Sequence, residues 1–137
     1  RSLRIVLGLG LLNIDTVMTA EKRVTETEAL HLASGQDVQG YEIHIGRSTG
    51  PDCARPMFTV AGQPEGAICT SGQVMGSYLH GMFSADGFRR AFLGSLGASP
   101  GTDSHAAIVE ATLERLADHL ETHLDCAALL AVARAGI

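Results

Sequence analysis

Two segments of the chain pass through apolar or alternating positions, reach a histidine and then meet a glycine. The first is 40–46, Gly-Tyr-Glu-Ile-His-Ile-Gly, and the second is 74–83, Val-Met-Gly-Ser-Tyr-Leu-His-Gly-Met-Phe. The pattern predicts β-strands that present a side chain at a tight turn, because glycine adopts backbone conformations closed to other residues. In open α/β sheets, chemistry takes place where strands end. Spacing alone leaves catalytic and structural roles open for His80 and favours a structural role for His44.

The other patterns in the first 80 residues predict short strands joined by turns. Apolar and β-branched residues at 11–18 predict a short strand or an edge segment, and the polar stretch 21–28 is expected to be solvated. A turn at 35–39 leads into the first histidine segment. Residues 57–60 predict one short strand inside a loop rich in proline and glycine. Residues 67–79 have the pattern strand, turn, strand that is typical of a hairpin.

Helical periodicity dominates the rest of the chain. Ser84 and Asp86 are an N-cap candidate and a first-turn acid for a helix that begins near them. The amphipathic stripe 108–124 predicts a long helix, which we expect to begin after Ser104. Asp125 is expected to cap a short terminal helix. We expect the first helix and the long helix to pack on the sheet.

Composition narrows the class of protein. The 137 residues are enough for one domain at most, and 45% hydrophobic with 18% charged residues indicates a globular chain. A net charge of −5 offers no attraction for nucleic acid or an anionic membrane surface. No apolar run approaches the roughly 20 residues of a membrane span. Three cysteines without a CxxC pair indicate a reducing, cytoplasmic setting.

A pair of histidines near the C-terminus is a candidate metal site. His119 and His123 are four residues apart and could share a metal, but Glu121 is one position away from where the HExxH motif needs it. With no third ligand nearby in the sequence, we expect no metal site.

The cysteines give no nucleophile by their sequence context. Cys53 and Cys69 lack the G-x-S/C-x-G frame of a nucleophile turn, and no base lies near Cys126 in the sequence. We therefore expect none of the three thiols to have the lowered pKa of an activated cysteine. His80 is then an acid–base candidate without a nucleophile.

Three stretches share their order and spacing with one family. They are 8–18 with Lys22, then 40–46, then 76–83 followed by Asp86, Phe88, Arg89 and Leu93. Together they resemble the C-terminal glutamine amidotransferase domain of the cobyric acid synthase family, which belongs to cobalamin biosynthesis. The Gly-Tyr-Glu-Ile-His and Gly-Ser-Tyr-Leu-His-Gly motifs are specific to this family and its relative, cobyrinic acid a,c-diamide synthase.

The resemblance implies an α/β fold, the C-terminal part of a class I (triad-type) glutamine amidotransferase domain, with a sheet flanked by helices. It implies that residues 8–137 are a partial amidotransferase domain, whereas 1–7 match the family poorly.

The resemblance also implies a chemistry. A Cys–His pair hydrolyses glutamine, and the ammonia amidates carboxylates of adenosylcobyrinic acid a,c-diamide. By motif match, His80 is the general base, and Glu42 and His44 shape the site. No third triad member can be named, because Gly81 and Met82 follow His80 where many amidotransferases have Pro-Glu. In the family the nucleophilic cysteine lies upstream of segment 8–18, so we expect it to be missing here and this chain alone to be inactive.

The implied partners are glutamine and, through a missing N-terminal domain that uses ATP and Mg, the corrinoid. No cofactor is expected in this chain itself. Two alternatives stay open: the glutaminase part of cobyrinic acid a,c-diamide synthase, and a non-catalytic binding or scaffold module of the same fold. The sequence also leaves a homo-oligomer open.

Overall fold

The computed structural model of the protein describes residues 5–136, so the predicted segment 1–7 lies partly outside the described residues. The chain divides into two compact units after Gly101. In the described part, the first unit contains a five-stranded sheet, a two-stranded hairpin and one α-helix. The second unit contains two α-helices.

The elements follow one another with short connections. The strands are β1 (Asp15–His31), β2 (Asp37–Thr49), β3 (Phe58–Val60), β4 (Gln63–Glu65), β5 (Ala67–Ile68), β6 (Met75–Gly76) and β7 (Leu79–His80). The helices are α1 (Asp86–Ser95), α2 (His105–His123) and α3 (Cys126–Ala135), with short 3-10 turns at Pro51–Ala54 and Met82–Ser84. The larger sheet has the order β4-β3-β1-β2-β7, and each neighbouring pair is antiparallel.

A long ribbon of β1 and β2 forms the centre of this sheet. The predicted short strand at 11–18 is wrong in extent, because β1 starts at Asp15 and continues to His31 through the polar stretch 21–28. Val24 to Leu30 pair in unbroken register with β2, after an irregularity between Met18 and Arg23. Backbone pairing therefore extends the strand through this polar stretch, where the side chains of Lys22, Glu26 and Glu28 are exposed.

His44 does not lie at a strand end, so that prediction is wrong. Strand β2 continues to Thr49, and Gly46 pairs with Met18 inside the ribbon. A Cβ at Gly46 would lie 2.8 Å from Cγ2 of Thr16, so this glycine permits a close approach of two strands. Gly46 therefore allows β2 to pair closely with β1 and does not form a turn.

The core lies where α1 packs on one face of the sheet. Phe58 and Phe88 are fully buried, with ring centroids 5.6 Å apart, and Val38 and Leu79 are buried beside them. Burying one such side chain contributes about 1.5–3 kcal/mol. The helix predicted from Asp86 and its packing on the sheet are confirmed.

The predicted N-cap of α1 is wrong. The cap position is Ala85, without a side-chain hydrogen bond. The Ser84 N–H instead donates to the Gly81 carbonyl at 2.9 Å, because Ser84 belongs to the preceding 3-10 turn.

The short strand near 57–60 and the hairpin within 67–79 are confirmed as β3 and as the β5–β6 pair. In the second unit, the long helix begins after Ser104 as predicted, and the predicted cap Asp125 is confirmed. Asp125 Oδ1 accepts from the Ala128 N–H at 2.9 Å. Ser104, which was predicted only as the start of the helix, also caps it, because its Oγ accepts from the Ala107 N–H at 3.5 Å. Packing of α2 on the sheet stays a prediction. Within residues 5–136, no helix combines the length and the apolar character needed to cross a membrane.

Candidate active site

His80 is the last residue of β7 and lies directly before a left-handed glycine. Strand β7 pairs with β2 through Tyr41 opposite His80 and Glu42 opposite Leu79. Gly81 has φ 76°, which favours glycine over any other residue. The His80 side chain is exposed. The predicted strand end and turn at His80 are therefore confirmed.

Gly40 allows β7 to lie this close to β2. A Cβ at residue 40 would collide with the backbone oxygen of His80 and would lie 3.0 Å from Cδ1 of Leu79. Since a backbone atom cannot give way as a flexible side chain can, any larger residue at Gly40 would displace the strand that carries His80.

The imidazole of His80 stacks on Tyr41. The ring centroids are 5.2 Å apart and the planes differ by 8°. Paired residues of an antiparallel ladder point to the same side of the sheet, which brings these two rings together. Tyr41 is therefore a direct neighbour of the His80 imidazole in the candidate site.

Glu42 and His44 lie on the opposite face of β2. Glu42 is buried, and Nδ1 of His44 is buried with no hydrogen-bond partner among the described residues. The His44 ring stacks on Tyr78, with centroids 4.2 Å apart and planes 20° apart. Side chains alternate along a strand, so Tyr41 faces one way while Glu42 and His44 face the other. The structure therefore brings Glu42 and His44 together and separates both from His80.

A cavity of about 620 Å³ lies against the face that carries Glu42 and His44. Its volume is within the range of small-molecule pockets, about 300–1,000 Å³. Glu65, Ser77 and Tyr78 contribute polar groups to its wall, and His80 does not line it. The cavity is a second candidate site, distinct from the exposed face of His80.

Hydrogen bonds hold the polar wall of this cavity in place. The Ser48 hydroxyl bonds the Tyr78 hydroxyl and the Thr16 hydroxyl, at 2.7 Å each. Glu65 accepts from the Ser77 hydroxyl at 2.8 Å and from the Tyr78 N–H at 2.7 Å. These bonds leave Tyr78 fixed on the His44 ring.

A buried aspartate anchors the loop on another side of the cavity. Asp52 accepts from the Asn13 N–H at 2.7 Å and pairs with the Arg55 guanidinium. Arg55 Nε also donates to the Ile68 carbonyl at 2.9 Å. This arrangement fixes the position of Cys53, which is one of the residues that line the cavity.

The comparisons with known proteins connect this geometry to a family. The CobB/CobQ-like glutamine amidotransferase domain matches residues 2–88, a range that holds both histidine motifs. The chain belongs to this family. The predicted family resemblance and its α/β fold class are confirmed, with the sheet antiparallel throughout and helix α1 packed on it.

Curated relatives agree with the family assignment. The chain is 60% identical over 127 residues to cobyric acid synthases of Cereibacter sphaeroides and Rhodobacter capsulatus, which covers 93% of this chain and 26% of each relative. It is 52% identical over 127 residues to cobyric acid synthase of Bradyrhizobium diazoefficiens, with the same coverage. The chain thus spans about a quarter of the length of these relatives.

The cysteines of this amidotransferase-family chain differ in their surroundings. Hydrogen bonds from the Ser71 side chain and the Val74 N–H lower the pKa of the Cys69 thiol to about 7. The expectation that no thiol has a lowered pKa is therefore wrong for Cys69. The cause is the tight β5–β6 turn, which directs Ser71 and the Val74 N–H, 3.3 Å away, at the sulfur. No hydrogen bond joins the thiol of Cys53, Cys69 or Cys126 to a histidine among residues 5–136.

Sequence reasoning missed Tyr41, Glu65 and Tyr78. Tyr41 and Tyr78 lie inside the two histidine segments, 40–46 and 74–83. Because Tyr41 alternates with Glu42 and Tyr78 with Leu79, the strand pattern could have indicated which face each tyrosine occupies. Nothing in the sequence pointed to Glu65, because only folding brings β4 beside the Ser77–Tyr78 segment.

On α2, the His119 and His123 ring centroids are 4.4 Å apart. No group of three or more metal-binding side chains occurs in the described part of the chain.

Proposed function

We propose that this chain is part of a glutamine-dependent, amide-forming ligase of the cobyric acid synthase type, and that His80 is the general base of its glutaminase site. The observation that carries the proposal is the place of His80, exposed at a strand end before the left-handed Gly81. A base at such a position is open to a nucleophile and substrate from outside its own strand. Membership in the amidotransferase family supports the same role.

The proposed reaction uses a cysteine that another part of the protein supplies. His80 takes the proton of this thiol, and the thiolate attacks the side-chain carbonyl carbon of glutamine. The carbon–nitrogen bond breaks, the imidazolium returns the proton, and ammonia leaves. Water then cleaves the thioester, which gives glutamate and regenerates the thiol. The aligned part of this chain covers 26% of the relatives' length, so the rest of such a protein can contain the cysteine and an ATP-using domain.

The ammonia is proposed to amidate carboxylates of adenosylcobyrinic acid a,c-diamide, a step of cobalamin biosynthesis that uses ATP and Mg in the other domain. Glu42 and His44 support the glutaminase site from the far face of β2. A cytoplasmic location is part of the proposal, and the three free cysteines support it.

The test is His80→Asn in the full-length protein, with glutamine or ammonium as the nitrogen source. Asparagine keeps a polar side chain but removes the base, so glutamine-dependent amidation should fall by about a hundredfold to ten-thousandfold. Ammonia-dependent amidation should stay near the unmodified rate, because it needs no glutaminase base. Retained glutaminase activity, or equal loss of both reactions, would contradict the assignment.

A non-catalytic binding module is the second candidate, and the cavity beside Glu42 and His44 favours it. That cavity has the size of a small-molecule pocket and a hydrogen-bonded polar wall. On this alternative, His80→Asn would change neither reaction. Gly76→Leu, which fills the cavity, would instead weaken the binding of a small molecule there. The His80 experiment therefore separates the two candidates.

A further inference from the structure

The aromatic ring of Tyr41 lies over two consecutive residues of the candidate site. It stacks on the His80 imidazole at 5.2 Å, nearly parallel. A Cβ built on Gly81 would lie 3.6 Å from Cε1 of Tyr41, so the ring also borders the turn that follows His80. Both stacked side chains are exposed, and hydrophobic burial alone does not account for their contact.

Backbone geometry holds the two rings in this arrangement. Tyr41 and His80 are direct partners in the β2–β7 ladder. Gly40 removes the side chain that would collide with the His80 backbone oxygen, and Gly81 takes the left-handed conformation that ends β7. The glycines on either side of the pair thus fix both Cα positions, and the stack then limits how the imidazole can turn.

We propose that Tyr41 is a positioning residue that holds the His80 imidazole in one orientation for proton transfer. An exposed histidine otherwise samples several staggered side-chain conformations, and a base acts only from the one that reaches the proton. The tyrosine face also attracts the positive charge that His80 carries after accepting the proton, since 5.2 Å is inside the range of cation–π contacts, about 6 Å. The inference rests on the proposed role of His80 as the base.

The experiment compares Tyr41→Leu and Tyr41→Phe in the full-length protein. Leucine removes the stack, so kcat for glutamine hydrolysis should fall about three- to tenfold, the rate equivalent of one aromatic pair. KM for glutamine should change less than kcat, because the ring acts on the base. Phenylalanine keeps the stack and should restore most of kcat.

Ile43→Ala is the matched control. Ile43 lies on the same face of β2, two residues away, and is 43% exposed where Tyr41 is 45% exposed. It makes no ring contact with His80, so its replacement should leave glutamine hydrolysis unchanged. Ammonia-dependent amidation reports whether each variant protein is folded and competent.

Four results would count against the inference. Unchanged kcat in Tyr41→Leu, with His80→Asn inactive, would overturn the positioning role while leaving the base in place. A loss in Tyr41→Phe equal to that in Tyr41→Leu would show that the stack is not what matters. An equal loss of ammonia-dependent amidation would assign Tyr41 a structural role. Glutaminase activity in His80→Asn would instead remove the proposed function on which the inference rests.

Discussion

The two faces of β2 have different surroundings, although their residues alternate along one strand. Val38 and Glu42 point to the face that α1 and the cavity cover, and both are buried. Tyr41 and Ile43 point to the other face, where His80 joins them from β7 and all three are exposed. The short motif Gly-Tyr-Glu-Ile-His therefore places side chains on both faces of the sheet. Residues that a motif places side by side can belong to separate sites.

This difference predicts where substitutions affect stability and where they affect activity. The covered face has aromatic packing and buried polar groups, so changes there should lower the free energy of unfolding. On the other face, Tyr41, Ile43 and His80 are all exposed, so changes there should leave that free energy nearly constant.

The largest effect is expected for Phe88→Ala. Phe88 is fully buried between α1 and the sheet and contacts the rings of His31 and Phe58. Its loss should lower the free energy of unfolding by about 3–5 kcal/mol. Denaturant unfolding measures this change. As the control, Phe83→Ala removes a ring that is 47% exposed and should cost clearly less. Equal losses would break the proposed contrast between buried and exposed positions.

A matched pair of Val→Thr substitutions compares the two sides directly. Val38 is 1% exposed and Val24 is 61% exposed, and both lie in the central ribbon. Val38→Thr buries a hydroxyl and should cost about 1–3 kcal/mol. Val24→Thr should stay within about 0.5 kcal/mol of the unmodified chain. Similar changes at the two positions would show that the face of Val24 is also covered in solution.

Acid should destabilise the covered side through His31. Burial against Phe58 and Phe88 lowers the pKa of His31 from its ordinary value of 6.5. When the pKa of a histidine is lower in the folded state than in the unfolded state, its neutral form stabilises the fold. This stabilisation is fully present at pH values above the unfolded-state pKa and is lost as the pH falls below that value. The free energy of unfolding should therefore decrease below about pH 6.5. His31→Gln should flatten this dependence, and an unchanged slope would argue against a buried neutral His31.

Thiol labelling compares the cavity with an exposed turn. The pKa of Cys69, lowered to about 7, should make it the fastest of the three thiols to react with iodoacetamide at neutral pH. Cys53 lines the cavity and should react more slowly. Ser71→Ala removes the main hydrogen bond to the sulfur and should slow Cys69, as peptide mass spectrometry would measure. Faster labelling of Cys53 would indicate an activated thiol in the cavity.

Local patterns in the sequence predicted most of the local elements. The start of the long helix after Ser104, the cap Asp125, the hairpin within 67–79 and the turn after His80 depend on neighbouring residues, and all are present. The predicted cap Ser84 is the exception, because it belongs to the 3-10 turn before α1. The helix from Asp86 also follows from its own periodicity.

Features that depend on distant partners were not predictable in the same way. Strand β1 continues through polar residues because β2 pairs with it, and β2 passes His44 because β1 supplies partners up to Thr49. The cavity combines groups from β2, β4 and the segment before β7, which only the register brings together. His44 and His80 likewise lie on opposite faces of the sheet because of the register between β2 and β7.

The central claim is that the base lies on the exposed face of the sheet and that the other motif histidine does not share its role. Glutamine hydrolysis by His80→Asn and His44→Asn, measured side by side in the full-length protein, tests this most directly. The account predicts a loss of at least about a hundredfold for His80→Asn and a clearly smaller loss for His44→Asn. Equal losses, or a larger loss for His44→Asn, would contradict it.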